Sequence, residues 1–165
     1  MKIYTDASTR NNLSGVAFVI TDERNNLICK KAATVEESDN NTAELRAILF
    51  ALAYTKSYDK HITLLTDSTY AINAIRNGHF RPHEKQIVDY ILQNLQERKC
   101  HIMWIKGHCQ DGTVLSYYNK QADKCAKEVR KIKENEIKKE RKDKLHKLKE
   151  MHKISKYVYK SNKER

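Results

Sequence analysis

Four acidic residues occupy positions at which a folded chain can bring carboxylates together. Asp6 and Asp67 each end a strand-like segment, Glu44 begins a helical pattern, and Asp123 lies in a helical segment eight residues beyond its predicted start. Strand ends in an open α/β sheet converge on one edge, so Asp6 and Asp67 become neighbours if their strands are adjacent. Carboxylates about 4 to 5 Å apart in a partly dry cleft repel each other strongly. The arrangement therefore predicts either a bound cation or a retained proton.

A hard divalent cation suits such a cluster. Mg²⁺ prefers carboxylate and water oxygens and commonly shares its shell with substrate phosphate, and Mn²⁺ takes the same kinds of ligand. Two such ions roughly 3.5 to 4 Å apart can activate a water and stabilise the leaving oxygen of a phosphoryl transfer. Any one of these acids alone is more often an exposed residue or a helix cap. The spacing by itself therefore suggests this chemistry without establishing it.

The elements that must position the acids follow from hydrophobic periodicity and turn residues. Predicted strands cover residues 2–6, 15–20, 27–35, 61–66 and 101–105. Predicted helices cover 41–53, capped by Asn41 or Thr42, then 68–76 and 87–95, and a last long helix begins near residue 115. Three strands followed by alternating helices and strands predict a mixed α/β sheet.

The positive charge of the chain is concentrated in its last part. The net charge is +11, yet residues 127–165 hold 16 Lys and Arg against 7 Asp and Glu, which leaves 16 against 14 for residues 1–126. We therefore predict a catalytic domain at 1–128 and a basic helical tail at 129–165, which contacts a nucleic-acid backbone or a protein partner. A solvated, frayed helix is the simplest alternative. A thin apolar stripe also leaves open docking on the domain or on a second copy; its residues are Leu145, Leu148, Met151, Ile154 and Val158.

Several functional classes are disfavoured. The four cysteines form no C-x-x-C pair, and no apolar segment follows Met1, so we expect a cytoplasmic protein. No run of 18 apolar residues is present, which argues against a membrane span. Glycine loops for nucleotide cofactors and the G-x-S-x-G elbow are missing. A zinc site from Cys100-His101 and His108-Cys109 is disfavoured because neighbouring residues on a strand face opposite ways.

Five short motifs occur in a fixed order along residues 1 to 128. They are Tyr4-Thr5-Asp6-Ala7-Ser8, Asn41-Thr42-Ala43-Glu44-Leu45, Leu65-Thr66-Asp67-Ser68, Trp104-Ile105-Lys106-Gly107-His108 and Asn119-Lys120-Gln121-Ala122-Asp123-Lys124. Each motif is weak alone, but together they resemble the sequential motifs of type I ribonuclease H. The resemblance implies a ribonuclease H-like fold: a five-stranded mixed sheet, with three antiparallel strands and then parallel ones, flanked by helices.

The resemblance also implies an activity and roles for particular residues. It implies hydrolysis of the RNA strand of RNA–DNA hybrids without sequence specificity, with two Mg²⁺ ions or Mn²⁺ in their place, by a monomer. Asp6 corresponds to the acid that bridges both ions, and the other three acids complete the metal-binding set. His108 corresponds to a mobile histidine that assists product or metal release. Substrate contacts are implied at Asn41, Ser8 and Ser68.

Three departures from the family pattern bear on the substrate. The segment after Asp6 lacks the usual glycines, Asp39 stands where many relatives carry a hydroxyl residue that helps hold a DNA phosphate, and the link between Arg76 and Ile87 is too short for an extra basic helix. A nucleic-acid-binding module of the same fold that is inactive, or that acts on a different substrate such as double-stranded RNA, therefore remains an alternative.

Overall fold

A computed structural model describes residues 1–37, 39–57, 61–107 and 112–163, with side chains described to residue 152. The chain forms two compact units, Met1–Arg130 and Lys131–Arg165, and each is considered by itself. Among the described residues, no helix is long and apolar enough to cross a membrane.

The first unit is built on one five-stranded sheet, with strands in the order β3-β2-β1-β4-β5. The strands are β1 (Lys2–Arg10), β2 (Leu13–Thr21), β3 (Leu27–Val35), β4 (Ile62–Thr66) and β5 (Cys100–Trp104). The first three are antiparallel, whereas β1 pairs with β4, and β4 with β5, in parallel. The predicted fold class is therefore confirmed.

Four α-helices connect or follow the strands. They are α1 (Asn40–Tyr54), α2 (Thr69–Asn77), α3 (Lys85–Glu97) and α4 (Val114–Lys163), and a single 3-10 turn at Pro82–Glu84 precedes α3. Between α2 and α3 this turn is the one helical piece that the structure describes, as the short link in the sequence predicted.

The first strand is longer than its apolar pattern indicated. Asp6 was expected to end it, but β1 continues to Arg10 and pairs with β2 over its whole length. The hairpin closes through Asn11 and Asn12, both in the left-handed region at φ 52° and 60°, which suits a two-residue turn. Asp6 thus lies inside a strand, two residues past Tyr4, which is the last residue of β1 that pairs with β4.

Both faces of the sheet are covered, because alternate residues of β1 face opposite ways. Ile3 belongs to the larger core, with Phe18 of β2, Leu45 of α1 and Ile91 of α3. Its neighbour Tyr4 belongs to a smaller cluster on the other face, together with Val19, Leu65, Ile105 and Ala122. The sheet is therefore held between α1 to α3 on one side and the first turns of α4 on the other.

Two local contacts fix the helices that carry acidic residues. At Gly15 in β2, any Cβ would overlap the Ala126 carbonyl oxygen, so glycine allows α4 to lie directly against the strand. The expected cap at Asn41 or Thr42 is wrong: Asp39 is the N-cap of α1, and its carboxylate accepts from the amides of Asn41 at 2.6 Å and Thr42 at 3.2 Å. Asp39 outcompetes the later residues because it has the extended backbone that a cap requires.

Candidate functional site

The four acidic residues predicted from the sequence lie around one groove. Asp67 directly follows β4, and the parallel register that pairs Tyr4 with Leu65 brings it beside Asp6. Glu44 reaches the same place from the second turn of α1, and Asp123 from α4. All four line a groove of about 520 Å³. Residues that are far apart in sequence thus share one concave surface.

The groove also contains the predicted substrate-contacting residues. Ser8, Asn41 and Ser68 all line it. Ser8 accepts a hydrogen bond from Arg130 Nε at 3.1 Å, and Ser68 caps α2 by accepting from the Ala71 amide at 3.1 Å. His108 lies outside the described residues, so its predicted role in release stays a prediction.

Burial and repulsion perturb the two innermost carboxyls. Asp6 is 6 % exposed and Glu44 5 % exposed. Burial, followed by the charges of Asp67 and Asp123, raises the pKa of Asp6 to about 8. Burial, followed by the charges of Asp6 and Asp67, also raises the pKa of Glu44 well above its ordinary value. Without a cation, burial and the neighbouring carboxylates therefore favour the protonated form of both side chains.

Asp67 is held from three sides. Its carboxylate accepts from Asn119 Nδ2 at 3.0 Å, and its backbone carbonyl accepts from Trp104 Nε1 at 3.1 Å. A Cβ at position 107 would overlap the Asp67 carboxylate, so Gly107 leaves the space that this side chain occupies. Two of the sequence motifs therefore orient Asp67: one contributes Trp104 and Gly107, and the other contributes Asn119.

Asp123 has a positive neighbour on its own helix. Lys127, one turn later in α4, lies 2.7 Å from its carboxylate and also lines the groove. Sequence reasoning missed Lys127, although its i,i+4 spacing from Asp123 is the usual signature of such a helical pair. Asn119, which belongs to the last of the five motifs, orients Asp67 by the hydrogen bond described above.

The residues at the groove fit a hard divalent cation by their chemistry. Glu44 Oε2 is buried, and it has no hydrogen-bond partner in the described part of the chain. An uncompensated buried carboxylate oxygen is costly, and a cation would satisfy it. Within the described ranges, no three His, Cys, Asp or Glu side chains already form a closed metal site. Lys127 contacts both carboxylate oxygens of Asp123, at 2.7 and 2.8 Å, so a cation would compete with this ion pair for Asp123.

A second polar cluster beside the groove was not predicted. Glu84 is fully buried and accepts from Thr42 Oγ1 at 2.6 Å, from the Tyr70 hydroxyl, and from the Arg81 amide at 2.8 Å. Arg81 in turn lies 2.5 Å from Asp39 and 3.0 Å from Glu84. The cluster joins the N-terminal turns of α1 and α2. Its members are distant in sequence and ordinary in type, so no local pattern could have revealed it.

Arg81 determines the ionisation of the exposed acid of this cluster. Its hydrogen bond to Asp39 is the main reason why the pKa of that carboxyl falls to about 2. The same bond raises the pKa of Arg81. Asp39, the position that departs from the family pattern, is therefore an ionised helix cap paired with an arginine.

Comparisons with known proteins agree with this geometry. The family model for RNase H matches residues 1–131. Ribonuclease H of Schizosaccharomyces pombe is 28 % identical over 144 residues, which are 76 % of this chain and 51 % of that protein, so the chain spans about half the length of this relative. LC11-RNase H1, isolated from compost by a metagenomic approach and solved with an RNA/DNA hybrid, superposes with a TM-score of 0.66 at 24 % identity, covering 79 % of this chain and 96 % of that one. RNase H1 of Halobacterium salinarum NRC-1 gives a TM-score of 0.61 at 19 % identity, over 78 % of this chain and 95 % of that one.

Proposed function

Because this chain belongs to the RNase H family, we propose that it is a metal-dependent endonuclease that hydrolyses the RNA strand of RNA–DNA hybrids. The observation that carries the proposal is the convergence of Asp6, Glu44, Asp67 and Asp123 on one groove, with two of them held at raised pKa. A buried cluster of like charges costs stability, so its presence indicates a functional site. The similarity to ribonuclease H proteins supports nucleic-acid hydrolysis as the function of that site.

These four carboxylates would hold two divalent cations, either Mg²⁺ or Mn²⁺. Such ions, when bound, supply activation of water and stabilisation of the leaving oxygen in phosphoryl transfer. The surrounding residues orient the acids: Asn119 and Trp104 hold Asp67, and α1 presents Glu44. His108 would assist release.

Substrate contacts are proposed at Ser8, Asn41 and Ser68, which offer hydroxyl and amide groups along the groove. Groups of this kind suit 2′-hydroxyls and phosphates, whose positions do not depend on the bases. Recognition by groove shape and 2′-hydroxyls distinguishes RNA from DNA without reading sequence. The enzyme should therefore cut hybrids of any sequence.

One observation favours an altered substrate as the second candidate. Asp39 stands where many relatives carry a hydroxyl residue for a DNA phosphate, and its partner Arg81 is already bound by two carboxylates. This corner therefore offers little positive charge to a DNA strand. With this DNA-strand contact weakened, double-stranded RNA is the second candidate substrate.

A cleavage assay distinguishes these candidates. One labelled RNA strand is presented paired with DNA, paired with RNA, or single, in Mg²⁺, Mn²⁺ or EDTA, with the Asp6→Asn variant as the matched control. We expect metal-dependent cleavage of the hybrid alone, and at least a thousandfold less with Asp6→Asn, in the range lost when a main electrostatic group is removed. Turnover by Asp6→Asn at ordinary Mg²⁺ contradicts the carboxylate assignment, and preference for paired RNA selects the second candidate.

We also propose a division into a catalytic domain at 1–128 and a basic tail at 129–165 that contacts a nucleic-acid backbone or a protein partner. The charge distribution supports this division. The protein would act as a cytoplasmic monomer; Cys29, Cys100 and Cys125 are free thiols, which suits a reducing compartment.

A further inference from the structure

The charges on the tail helix are sorted by side. Within α4, Lys131, Lys138, Lys142 and Lys149 follow one another at spacings of 7, 4 and 7 residues, and all four are exposed. At 3.6 residues per turn, these spacings bring the four side chains within about 40° of one line along the helix. We call these four residues the lysine stripe. In the sequence, further lysines follow at helical intervals of 4, 3 and 4 residues, at Lys153, Lys156 and Lys160.

Most acidic residues lie away from the stripe; the exception is Glu134, one turn from both Lys131 and Lys138. Four of the five acids between residues 131 and 152 fall within about 80° of each other on a different side of the helix. These four are Glu136, Glu140, Asp143 and Glu150. The ion pair between Lys133 and Glu136, 3.1 Å apart, also belongs to that other side. In the part of the chain that the structure describes, no lysine of the stripe is in an ion pair.

We propose that the lysine stripe is a binding surface for the phosphate backbone of a nucleic-acid duplex. From Lys131 to Lys149 the stripe is about 27 Å long, at 1.5 Å per residue. A phosphate strand that rises 3.4 Å per residue passes roughly eight phosphates over this length. A straight row of unpaired ammonium groups is therefore complementary to a linear polyanion. This inference deepens the tail contact proposed above and rests on it for the choice of partner.

The distribution of apolar residues argues against a membrane surface. A helix that lies in a lipid interface needs one continuous apolar face opposite its basic residues. Here the exposed Leu145, Leu148 and Met151 share a sector of about 120° that covers only seven residues and lies beside the lysine stripe rather than opposite it. The exposed Ile132 points to another side of the helix. Sequence-independent contact with phosphates explains a basic side without such an apolar face.

The test compares two quadruple variants with the same change in charge. The stripe variant changes Lys131, Lys138, Lys142 and Lys149 to Gln; the control changes Lys133, Arg141, Lys144 and Lys147 to Gln. Both are made in the full chain carrying Asp6→Asn and studied in EDTA, so that binding is measured without cleavage. Fluorescence anisotropy with an RNA–DNA hybrid is recorded from low to high salt.

We expect the stripe variant to bind at least about tenfold more weakly, with a slope of log K against log salt reduced by about 3 to 4, since each phosphate contact contributes about 0.9. The control should change the slope by less than about 1. Equal loss in both variants, or loss in neither, overturns the proposal. Binding to vesicles of anionic lipid that needs the stripe, with unchanged hybrid binding, overturns it in favour of a membrane.

A further variant separates charge from helix stability. Circular dichroism reports the helix content of each protein, and a variant with Arg at the four stripe positions keeps the charge. Restored hybrid binding with Arg supports the proposal, and binding as weak as with Gln overturns it. Because every arm is free of metal, the cleavage assay can fail while the stripe is confirmed, and the reverse.

Discussion

At the level of single residues, the acidic groove carries the main conflict between stability and function. Asp6 and Glu44 are buried among other carboxylates, which raises the pKa of both. On the proposed function, a side chain that gives up its proton to bind a cation is thus held where the protonated form is favoured. Such conflicts are expected at sites that use charge and are uncommon elsewhere.

The raised pKa of Asp6 makes the metal-free protein sensitive to pH. The carboxyl ionises near its ordinary value of 3.8 in the unfolded chain but near pH 8 in the folded one. Between these values the folded state binds the extra proton, so the free energy of unfolding decreases as pH rises, by at most about 1.4 kcal/mol per pH unit. Asp6→Asn should lose the part of this dependence that Asp6 contributes, while the part due to Glu44, whose pKa is raised first by burial, remains.

Urea unfolding in EDTA at pH 5 and pH 8 measures the effect in both proteins. Mg²⁺ should restore much of the stability that the wild type loses at pH 8, because a bound cation favours the ionised cluster. The same decline in both proteins would show that Asp6 is not the group responsible.

At the level of elements, the groove depends on how α1 and α2 begin. Glu84 accepts hydrogen bonds from Thr42 of α1 and from Tyr70 of α2. Thr42 lies two residues before Glu44, and Tyr70 lies three residues after Asp67, so both contacts are close to acids of the groove. Arg81 connects the same cluster to the cap at Asp39. The helix starts are therefore fixed to one another by a single buried carboxylate.

Glu84→Gln should destabilise the protein by about 1 to 3 kcal/mol, because an amide cannot accept from all of these donors and leaves at least one unsatisfied. The matched control is the next residue, Lys85→Gln, which loses only the exposed pair with Asp89 and should cost less than about 1 kcal/mol. Chemical denaturation of both variants gives the comparison. If Glu84→Gln unfolds like wild type, the buried cluster does not contribute as described.

The elements also show how far the sequence could be interpreted. Apolar periodicity located the strands and α-helices that the structure describes. The spacing of the acids only suggested a cluster, and it was the resemblance of the five motifs to type I ribonuclease H that grouped Asp6, Glu44, Asp67 and Asp123. The extension of β1 to Arg10 could not be predicted, because residues 7 to 10 are mainly polar and are held by pairing with β2. The Glu84 cluster could not be predicted either, since it depends on tertiary contacts between residues 42 positions apart, Asp39 with Arg81 and Thr42 with Glu84.

At the level of the whole molecule, the positive charge and the acidic groove belong to different units. The segment 1–126 has 16 basic and 14 acidic side chains, a net charge of +2, and residues 127–165 supply the other +9 of the net charge. A nearly neutral unit attracts a polyanion weakly, so affinity and chemistry are expected to be separable.

Truncation tests this separation, and the structure indicates where to cut. The first compact unit ends at Arg130, whose Nε donates to Ser8 in the groove. A chain ending at Arg130 should keep its melting temperature and its turnover at saturating hybrid, while the Michaelis constant rises and salt dependence flattens. A chain ending at Glu128 loses the contact with Ser8 and should melt at lower temperature.

Thermal melting, steady-state kinetics and light scattering are compared for the two truncated chains and the full protein. A halved mass on truncation would show that the tail joins two copies. A melting temperature that falls equally in both truncated chains would show that residues 131–165 stabilise the first unit.

Gly15 limits which substitutions this sequence can accept during evolution. Glycine is the one amino acid without a Cβ, so every codon change that alters this residue inserts an atom where the Ala126 carbonyl lies. The strand or α4 must then move, and Asp123 moves with α4. A position that does not line the groove is therefore expected to be as intolerant of substitution as the acids themselves, and a mutational scan read without the structure would mistake it for a member of the active site.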